Sequence, residues 1–302
     1  MNYNLITILG PTAVGKTRLA AQLANRFNGE IISADSRQVY LAMDIGTGKD
    51  INDYNVDGKI IPHHLIDVIE PKEEFNLFLF NKLFYKSFSS ITSRGNIPFL
   101  VGGTGLYLHS ILSGYKLNKV DFDETRHKEL DEFDINTLSE KLKKINSALH
   151  NTTDLLIKDR IIKAIIIAED EQNKEMLEKI DINSLTIGIR LEREEVKKRI
   201  TARLKYRLQN GMIEEVKRLI DNGISFERLN LFGLEYKFIG KYLSGELSYN
   251  DMFQKLNSAI HSFAKRQMTW FRKMEREGTV IHWLEGPAYE EACKIISQNF
   301  TI

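Results

Sequence analysis

The order of apolar and polar positions divides the chain into two regimes. Over the first 115 residues, short β-branched apolar runs alternate with segments of helical period. The runs are Leu5-Ile6-Thr7-Ile8-Leu9, Glu30-Ile31-Ile32-Ser33-Ala34, Leu65-Ile66-Asp67-Val68-Ile69 and Ile97-Pro98-Phe99-Leu100-Val101. Between them, Thr17 to Phe27 carries Leu19, Ala20, Leu23 and Phe27 at helix spacing, and a second helix is predicted from about Phe75 to Ser93. This alternation predicts an α/β fold: a parallel sheet with helices on its faces. One more strand-like run, Leu185-Thr186-Ile187-Gly188-Ile189, follows only after a long polar, acidic stretch. Within that stretch Ile161-Ile162 and Ile165-Ile166-Ile167 give one apolar helix face. Residues 120–181 are therefore expected to form a helical insertion beside the sheet, with 1–119 and 182–302 as the core and its C-terminal helices. From Glu192 onward the pattern reads as nearly all helical, punctuated by Gly211, Gly223, Gly233 and Gly245. Its longest piece, about Tyr249 to Glu277, spaces Phe253, Leu256, Ile260, Phe263, Trp270, Phe271 and Met274 as a core stripe.

Composition adds limits. The chain has 302 residues, 42% hydrophobic and 27% charged, which is ordinary for a globular protein. No apolar run approaches the roughly 20 residues of a membrane span. The first strand begins so early that no signal peptide is expected, and a cytoplasmic monomer is the plain expectation. Cys293 is the only cysteine, which excludes an intramolecular disulfide and a thiolate metal cluster and leaves a packing role. The net charge of +1 hides an asymmetry. Residues 121–181 hold 10 Lys/Arg against 16 Asp/Glu, whereas residues 190–277 hold 19 against 12. The basic segment reads either as solvated helix faces or as a surface for a polyanion.

The chemistry starts at Gly10-Pro11-Thr12-Ala13-Val14-Gly15-Lys16-Thr17, which fits the phosphate-loop pattern between a predicted strand and a predicted helix. Such a turn aims backbone N–H groups and a helix N-terminus at one anion. Lys16 adds a point charge, and the Thr17 hydroxyl is a ligand for Mg²⁺. In parallel sheets ligands bind beyond the carboxyl ends of the strands. The second strand ends in Asp35-Ser36-Arg37-Gln38, where Asp35 could bind Mg²⁺ or serve as a general base. The strand at 97–101 ends in Gly102-Gly103-Thr104-Gly105, with no carboxylate of the kind a motor NTPase places there. Thr104 can offer a hydroxyl to an anion while starting the next helix. Asp67 is the other candidate carboxylate, although it lies mid-run. His63 and His64 point to opposite faces of a strand and read as structural. Arg199, Arg203 and Arg207 share one helix face, as phosphate-gripping or solvated arginines, with Arg193 one step before them. Lys265 and Arg266 read either as phosphate or backbone contacts or as surface ion pairs.

Taken together, these segments resemble the tRNA dimethylallyltransferases, also called tRNA isopentenyltransferases, in their short bacterial form. The matching pieces are GPTAVGKT at 10–17, EIISADSRQVY at 30–40, MDIGTGK at 43–49, PHHLID at 62–67 and PFLVGGTGLY at 98–107. They continue with DRIIKAI at 159–165, GMIEEV at 211–216, LSGELSY at 243–249 and AKRQMTWFR at 264–272. The resemblance implies a P-loop-type core in which the loop holds dimethylallyl diphosphate, not a nucleoside triphosphate. The prenyl group then passes to the exocyclic amine of the adenosine immediately 3′ of the anticodon. It implies that Asp35 accepts the amine proton, and that Lys16, the loop amides and Thr17 with Mg²⁺ take up charge on the departing diphosphate. Thr104 is implied to orient the diphosphate or the nucleotide. Ser36, Arg37 and Gln38 are implied to contact tRNA, as are Arg126, Asp159 and Arg160 on the insertion and, on the AKRQ segment, Lys265 and Arg266. At 231–237, LFGLEYK departs from the family pattern, with Phe232 and Glu235 where an arginine and a glycine are usual. Asp50 stands where proline is common. Two other readings share the loop: an ATP-dependent small-molecule or nucleotide kinase, and a nucleic-acid-binding NTPase switch.

Overall fold

Five consecutive buried residues, Leu5–Leu9, form β1 at the middle of the fold. A strand that is apolar on both faces suits a parallel sheet covered on both sides. The computed structural model describes residues 3–115, 117, 124–145, 158–169 and 180–300. With β2 (Gly29–Ala34), β5 (His63–His64), β6 (Ile97–Gly102), β7 (Ser184–Arg190) and β8 (Ile281–Glu285), β1 builds a parallel sheet in the order β5-β2-β6-β1-β7-β8. A hairpin of β3 (Asn55–Val56) and β4 (Lys59–Ile60) stands apart. Register brings the strand ends level, because Gly102 pairs with both Leu9 and Ala34. The segments after residues 9, 34 and 102 therefore leave the sheet side by side.

Side-chain alternation splits the core in two. Ile6 and Ile8 face α1 (Lys16–Arg26) and the C-terminal helices, whereas Leu5 and Leu9 face α2 (Leu77–Ser93) and α3 (Gly105–Leu112). Asn76 caps α2 by accepting from Leu79 N–H. The C-terminal part runs through α7 (Arg193–Gln209), α8 (Met212–Asp221), α9 (Phe226–Leu229), α10 (Leu234–Leu243), α11 (Tyr249–Arg276) and α12 (Tyr289–Asn299). Along α11 the buried stripe is Ile260, Ala264, Gln267, Phe271 and Met274, at steps of three and four. Phe263 is off this stripe and 38% exposed, so it is not the core residue its spacing predicts.

Residues Tyr115–Lys179 form a second unit, separate from the one holding the sheet. Its described part consists of α4 (Glu124–Asp131), α5 (Ile135–Ile145) and α6 (Lys158–Glu169) around Leu130, Leu138, Leu142, Ile161, Ile162, Ile165 and Ile166. Ile167 points to solvent. Among the described residues no helix is long and apolar enough to cross a membrane.

Two predicted elements are corrected. The run at Leu65–Ile69 is not a strand: Leu65 and Asp67 take left-handed backbone angles, φ 63° and 53°. The sheet ends instead at His63 and His64, which pair with Ile31 and Ile32. The run bonds instead to residues 38–41, with Asp67 N–H donating to Gln38 O and Val68 N–H to Val39 O, while buried Lys49 donates to the Asp67 carboxylate and to Tyr40 O. The all-helical reading after Glu192 misses β8, which pairs with β7 from Thr186–Ile281 to Arg190–Glu285. Both histidines are structural, as read. His64 lies 2.7 Å from buried Glu30, while His63 packs on the Tyr54 ring at 4.4 Å. Burial pushes the Glu30 carboxyl up, but hydrogen bonds from Arg94, Asn96 and His64 hold it below the ordinary carboxylate range.

Candidate active site at the strand ends

The phosphate loop owes its path to its glycines. A Cβ on Gly10 would lie 2.5 Å from Ile189 O, and Gly15, at φ 89°, supplies the left-handed residue that opens α1. Ala13 is also left-handed, at φ 68°. Lys16 curls over the loop and donates to Pro11 O at 2.7 Å. Burial and the neighbouring Arg203 charge push the Lys16 ammonium down to about 8, against a smaller opposing pull from Asp35. Above about pH 8 the free protein thus loses the cation that an incoming phosphate needs, and a bound anion restores it. Affinity for inorganic pyrophosphate is expected to fall about tenfold per pH unit above that point. Titration calorimetry on the wild type and Lys16→Met checks this. The extra slope must vanish in the variant, and equal slopes would remove Lys16 from the anion site.

Two arginines of α7 complete the positive wall. Arg203 donates to the Thr12 hydroxyl, and burial together with Arg207 pushes its guanidinium down to about 10, which leaves it charged at neutral pH. Arg207 is buried and reaches Asp50 at 3.3 Å. A Cβ on Gly48, itself at φ 73°, would overlap the Arg207 guanidinium. Arg199 shares their face in sequence but pairs with Glu195 in solvent, one turn back, and does not join the site.

Beside the loop, β2 ends in Asp35, whose Oδ1 accepts from Arg37 N–H at 2.8 Å. Ser36 N–H donates to Thr104 Oγ1 at 3.1 Å, and Thr104 N–H to Ala34 O at 3.2 Å. Thr104 thus begins α3 while its hydroxyl braces the Asp35 turn. Arg37 reaches back to Leu231 O. Gln38 accepts from Ser33 Oγ and donates to Gly48 O, so both ends of its amide are engaged within the protein. The Gly-Gly ending of β6 has a steric cause. A Cβ on Gly102 would overlap Ala34 O, and one on Gly103 would overlap the Gln267 amide. No carboxylate fits there, and Asp67 is already neutralised by Lys49.

The remaining expected residues have other partners. Lys265 is exposed, and Arg266, also exposed, lies over the Phe263 ring at 5.9 Å. In the second unit, Arg126 pairs with Glu129 at 2.6 Å and with Glu169 at 2.9 Å, and Asp159 pairs with His127 and Lys163. Arg160 is exposed on α6. Phe232 is core, edge-on to Tyr40 at 5.0 Å. Glu235 lines a small cavity with Arg203 and Arg207. Burial pushes its carboxyl up, and those arginines pull against the shift.

Two site residues escape the sequence reading, although each leaves a trace there. Gln267, not its cationic neighbours, enters the site: its Oε1 accepts from Thr12 N–H at 2.9 Å, and its Nε2 donates to Gly103 O at 2.8 Å. Glu215, 2% exposed, accepts from the Asp44, Ile45 and Gly46 amides at 2.7–3.0 Å and from the Tyr236 hydroxyl at 2.7 Å. It fixes the 44–50 loop against which Gln38 and Arg207 rest. Each is a polar residue on an otherwise apolar helix stripe, and a buried polar group needs partners.

For Mg²⁺ the donor chemistry fits in a limited way. Thr17 opens α1 with a hard hydroxyl oxygen, and a magnesium ion commonly takes most of its ligands from substrate phosphate and water. Among the described residues no group of three His, Cys, Asp or Glu forms a protein cage.

Known proteins are similar to this chain along its whole length. The model of the family described as IPP transferase matches residues 38–274, and that described as isopentenyl transferase matches 3–58. The tRNA dimethylallyltransferase 1 of Geotalea uraniireducens is 53% identical over 99% of both chains. The crystal structure of a full-length tRNA isopentenylpyrophosphate transferase from Bacillus halodurans superposes with a TM-score of 0.69 at 33% identity, covering 98% of this chain and 94% of that one. A eukaryotic dimethylallyltransferase acting on tRNA, 23% identical and covered over 81% of its length, shares the fold with a TM-score of 0.76. These comparisons do not favour the kinase reading: the chain belongs to the IPP transferase family, that of the tRNA dimethylallyltransferases.

Proposed function

We propose that this enzyme transfers the dimethylallyl group of dimethylallyl diphosphate to the exocyclic amine of the adenosine immediately 3′ of the anticodon in tRNA. The observation that carries the reading is the placement of Asp35 level with the phosphate loop, opposite a cationic wall of Lys16 and Arg203. One side holds an anion and the other side takes a proton.

An adenine amine is a weak nucleophile, so the allylic C–O bond must loosen early. The electron pair of that bond goes to the departing diphosphate, whose charge the loop amides, Lys16 and Arg203 receive. The amine nitrogen forms the new bond to the allylic carbon, and its proton passes to Asp35. Asp35 is held for this by Arg37 N–H, and its turn is braced by Thr104. The Thr17 hydroxyl is the group that would hold Mg²⁺, which when bound would supply further positive charge at the leaving group. The base must leave its stack to reach Asp35, at a cost of a few kcal/mol that is smaller in a single-stranded loop. On the core, basic helix faces of α7 and α11 and the residues Ser36, Arg37, Lys265 and Arg266 are the proposed tRNA contacts, with Gln38 holding their turn from inside. Within the insertion, Arg126, Asp159 and Arg160 are the proposed contacts. The reading places the enzyme in the cytoplasm with its tRNA.

Incubation of the purified protein with unmodified tRNA, Mg²⁺ and dimethylallyl diphosphate, followed by mass analysis of the nucleosides, tests the reading. Adenosine carrying one five-carbon prenyl unit is expected. Absence of that nucleoside, with label passing instead from ATP to a small acceptor, would overturn it.

A further inference from the structure

A continuous series of hydrogen bonds crosses the site from the leaving-group side to the base side. Arg203 donates to the Thr12 hydroxyl, and Thr12 N–H donates to Gln267 Oε1 at 2.9 Å. Gln267 Nε2 donates to Gly103 O at 2.8 Å. The next residue, Thr104, accepts at Oγ1 from Ser36 N–H, beside Asp35. Gln267 is the middle link, and the only residue of the AKRQ segment other than Ala264 that is buried. A primary amide offers an acceptor and a donor a short distance apart, and this site uses both. Its backbone is fixed by the packing of Ala264 and Phe271 on the same stripe of α11. Gly103 leaves the space that the amide fills.

We propose that Gln267 is a positioning residue that keeps the leaving-group loop in register with Asp35, so that its amide governs the rate of transfer and not the affinity for either substrate. The proposal rests on the prenyl-transfer reading above. Reacting atoms must be held in line within a fraction of an ångström, and a misplacement of about 1 Å can cost on the order of 100-fold in rate. Each half of the site binds its own ligand without Gln267. The amide instead fixes one half against the other.

Two substitutions attack this link from opposite ends. Gln267→Glu keeps the acceptor for Thr12 N–H but turns a lone pair toward Gly103 O. Protonation of the new carboxyl returns an O–H donor at that point, so its deficit should shrink as pH falls. Gly103→Ala puts a methyl group where the Gln267 amide lies and displaces it with no titrating group added. Lys16, Arg203 and Asp35, the charged groups of the loop, α7 and the β2 end, keep their neighbours' charges in Gly103→Ala. For that variant the ratio of rates to wild type therefore cancels their titration, whereas the new carboxylate of Gln267→Glu acts on them as well.

The experiment measures single-turnover rates at saturating tRNA and dimethylallyl diphosphate, with separate Kd values for tRNA and inorganic pyrophosphate. At about pH 8 both variants are expected to lose about 100-fold in rate with Kd values close to wild type. For Gln267→Glu the deficit narrows about tenfold towards pH 6, whereas that of Gly103→Ala does not change. Rates near wild type, or a parallel loss of rate and affinity, would each overturn the proposal. If Gln267→Glu does not fold, Gly103→Ala decides by the same split of rate against affinity. A wild type that makes no prenylated adenosine overturns the underlying reading. An active wild type matched by equally active variants overturns only the role of Gln267.

Discussion

Asp35→Ala is expected to lower the single-turnover rate of prenyl transfer by about 10²–10⁴, the usual contribution of a positioned base, while tRNA still binds. Asp35 accepts from Arg37 N–H through one oxygen, and the turn around it is held as well by Thr104, which accepts from Ser36 N–H and donates to Ala34 O. The loop should therefore keep its shape in the variant. Asp35→Asn sharpens the test, because an amide oxygen still accepts from Arg37 N–H but takes up no proton. If base chemistry is the role, the two variants are equally slow. An active Asp35→Asn enzyme would reduce Asp35 to a hydrogen-bonding guide for the adenine, and an active Asp35→Ala would remove it from the reaction.

Arg203→Ala is expected to cost about 10²–10³ in rate and to weaken pyrophosphate binding, as removal of a preorganised charge from a leaving-group site does. Arg203 is half-buried, with Arg207 as a like-charged neighbour, so its charge is disfavoured before any anion arrives. An incoming diphosphate relieves that penalty, and the relief grows as the C–O bond breaks. Arg203→Lys is expected to recover little, since a point charge lacks the planar fork that spans Thr12 and a phosphate oxygen together. Arg199→Ala, on the same helix but paired with Glu195 in solvent, serves as the control. Equal rates for Arg203→Ala and Arg199→Ala would sink the assignment.

The elements that position the site could be read from the chain because their signals are local. A run such as Leu5–Leu9 is buried on both faces, and the glycine loop after it follows a fixed pattern. Three other features were not legible for definite reasons. The run at 65–69 has strand composition, yet Leu65 and Asp67 are left-handed and the run bonds to residues 38–41 with Asp67 on the distant Lys49, contacts that no local pattern announces. β8 alternates only weakly, with Leu284 its one fully buried residue, and its place depends on an open edge at β7. The AKRQ segment drew attention to its charges, although helix phase puts Gln267 inward and both cations outward. Likewise, α7 offered three arginines on one face, and only packing against the loop separates Arg203 and Arg207 from Arg199. A stripe can be counted from sequence, but what lies opposite each of its residues comes from the rest of the fold.

The central place of β1 has a consequence for the order of assembly during synthesis. Its neighbour β6 emerges early, but its other neighbour is β7, with Leu5 beside Ser184, across the whole second unit. Until β7 is made, one side of an entirely apolar strand is an unpaired edge, the kind of surface that recruits other chains. Arg203 and Gln267 come later still. The nascent chain thus carries its phosphate loop for most of its synthesis beside a sticky edge and without the groups that complete the site, and it becomes an enzyme only when its last third closes over that loop.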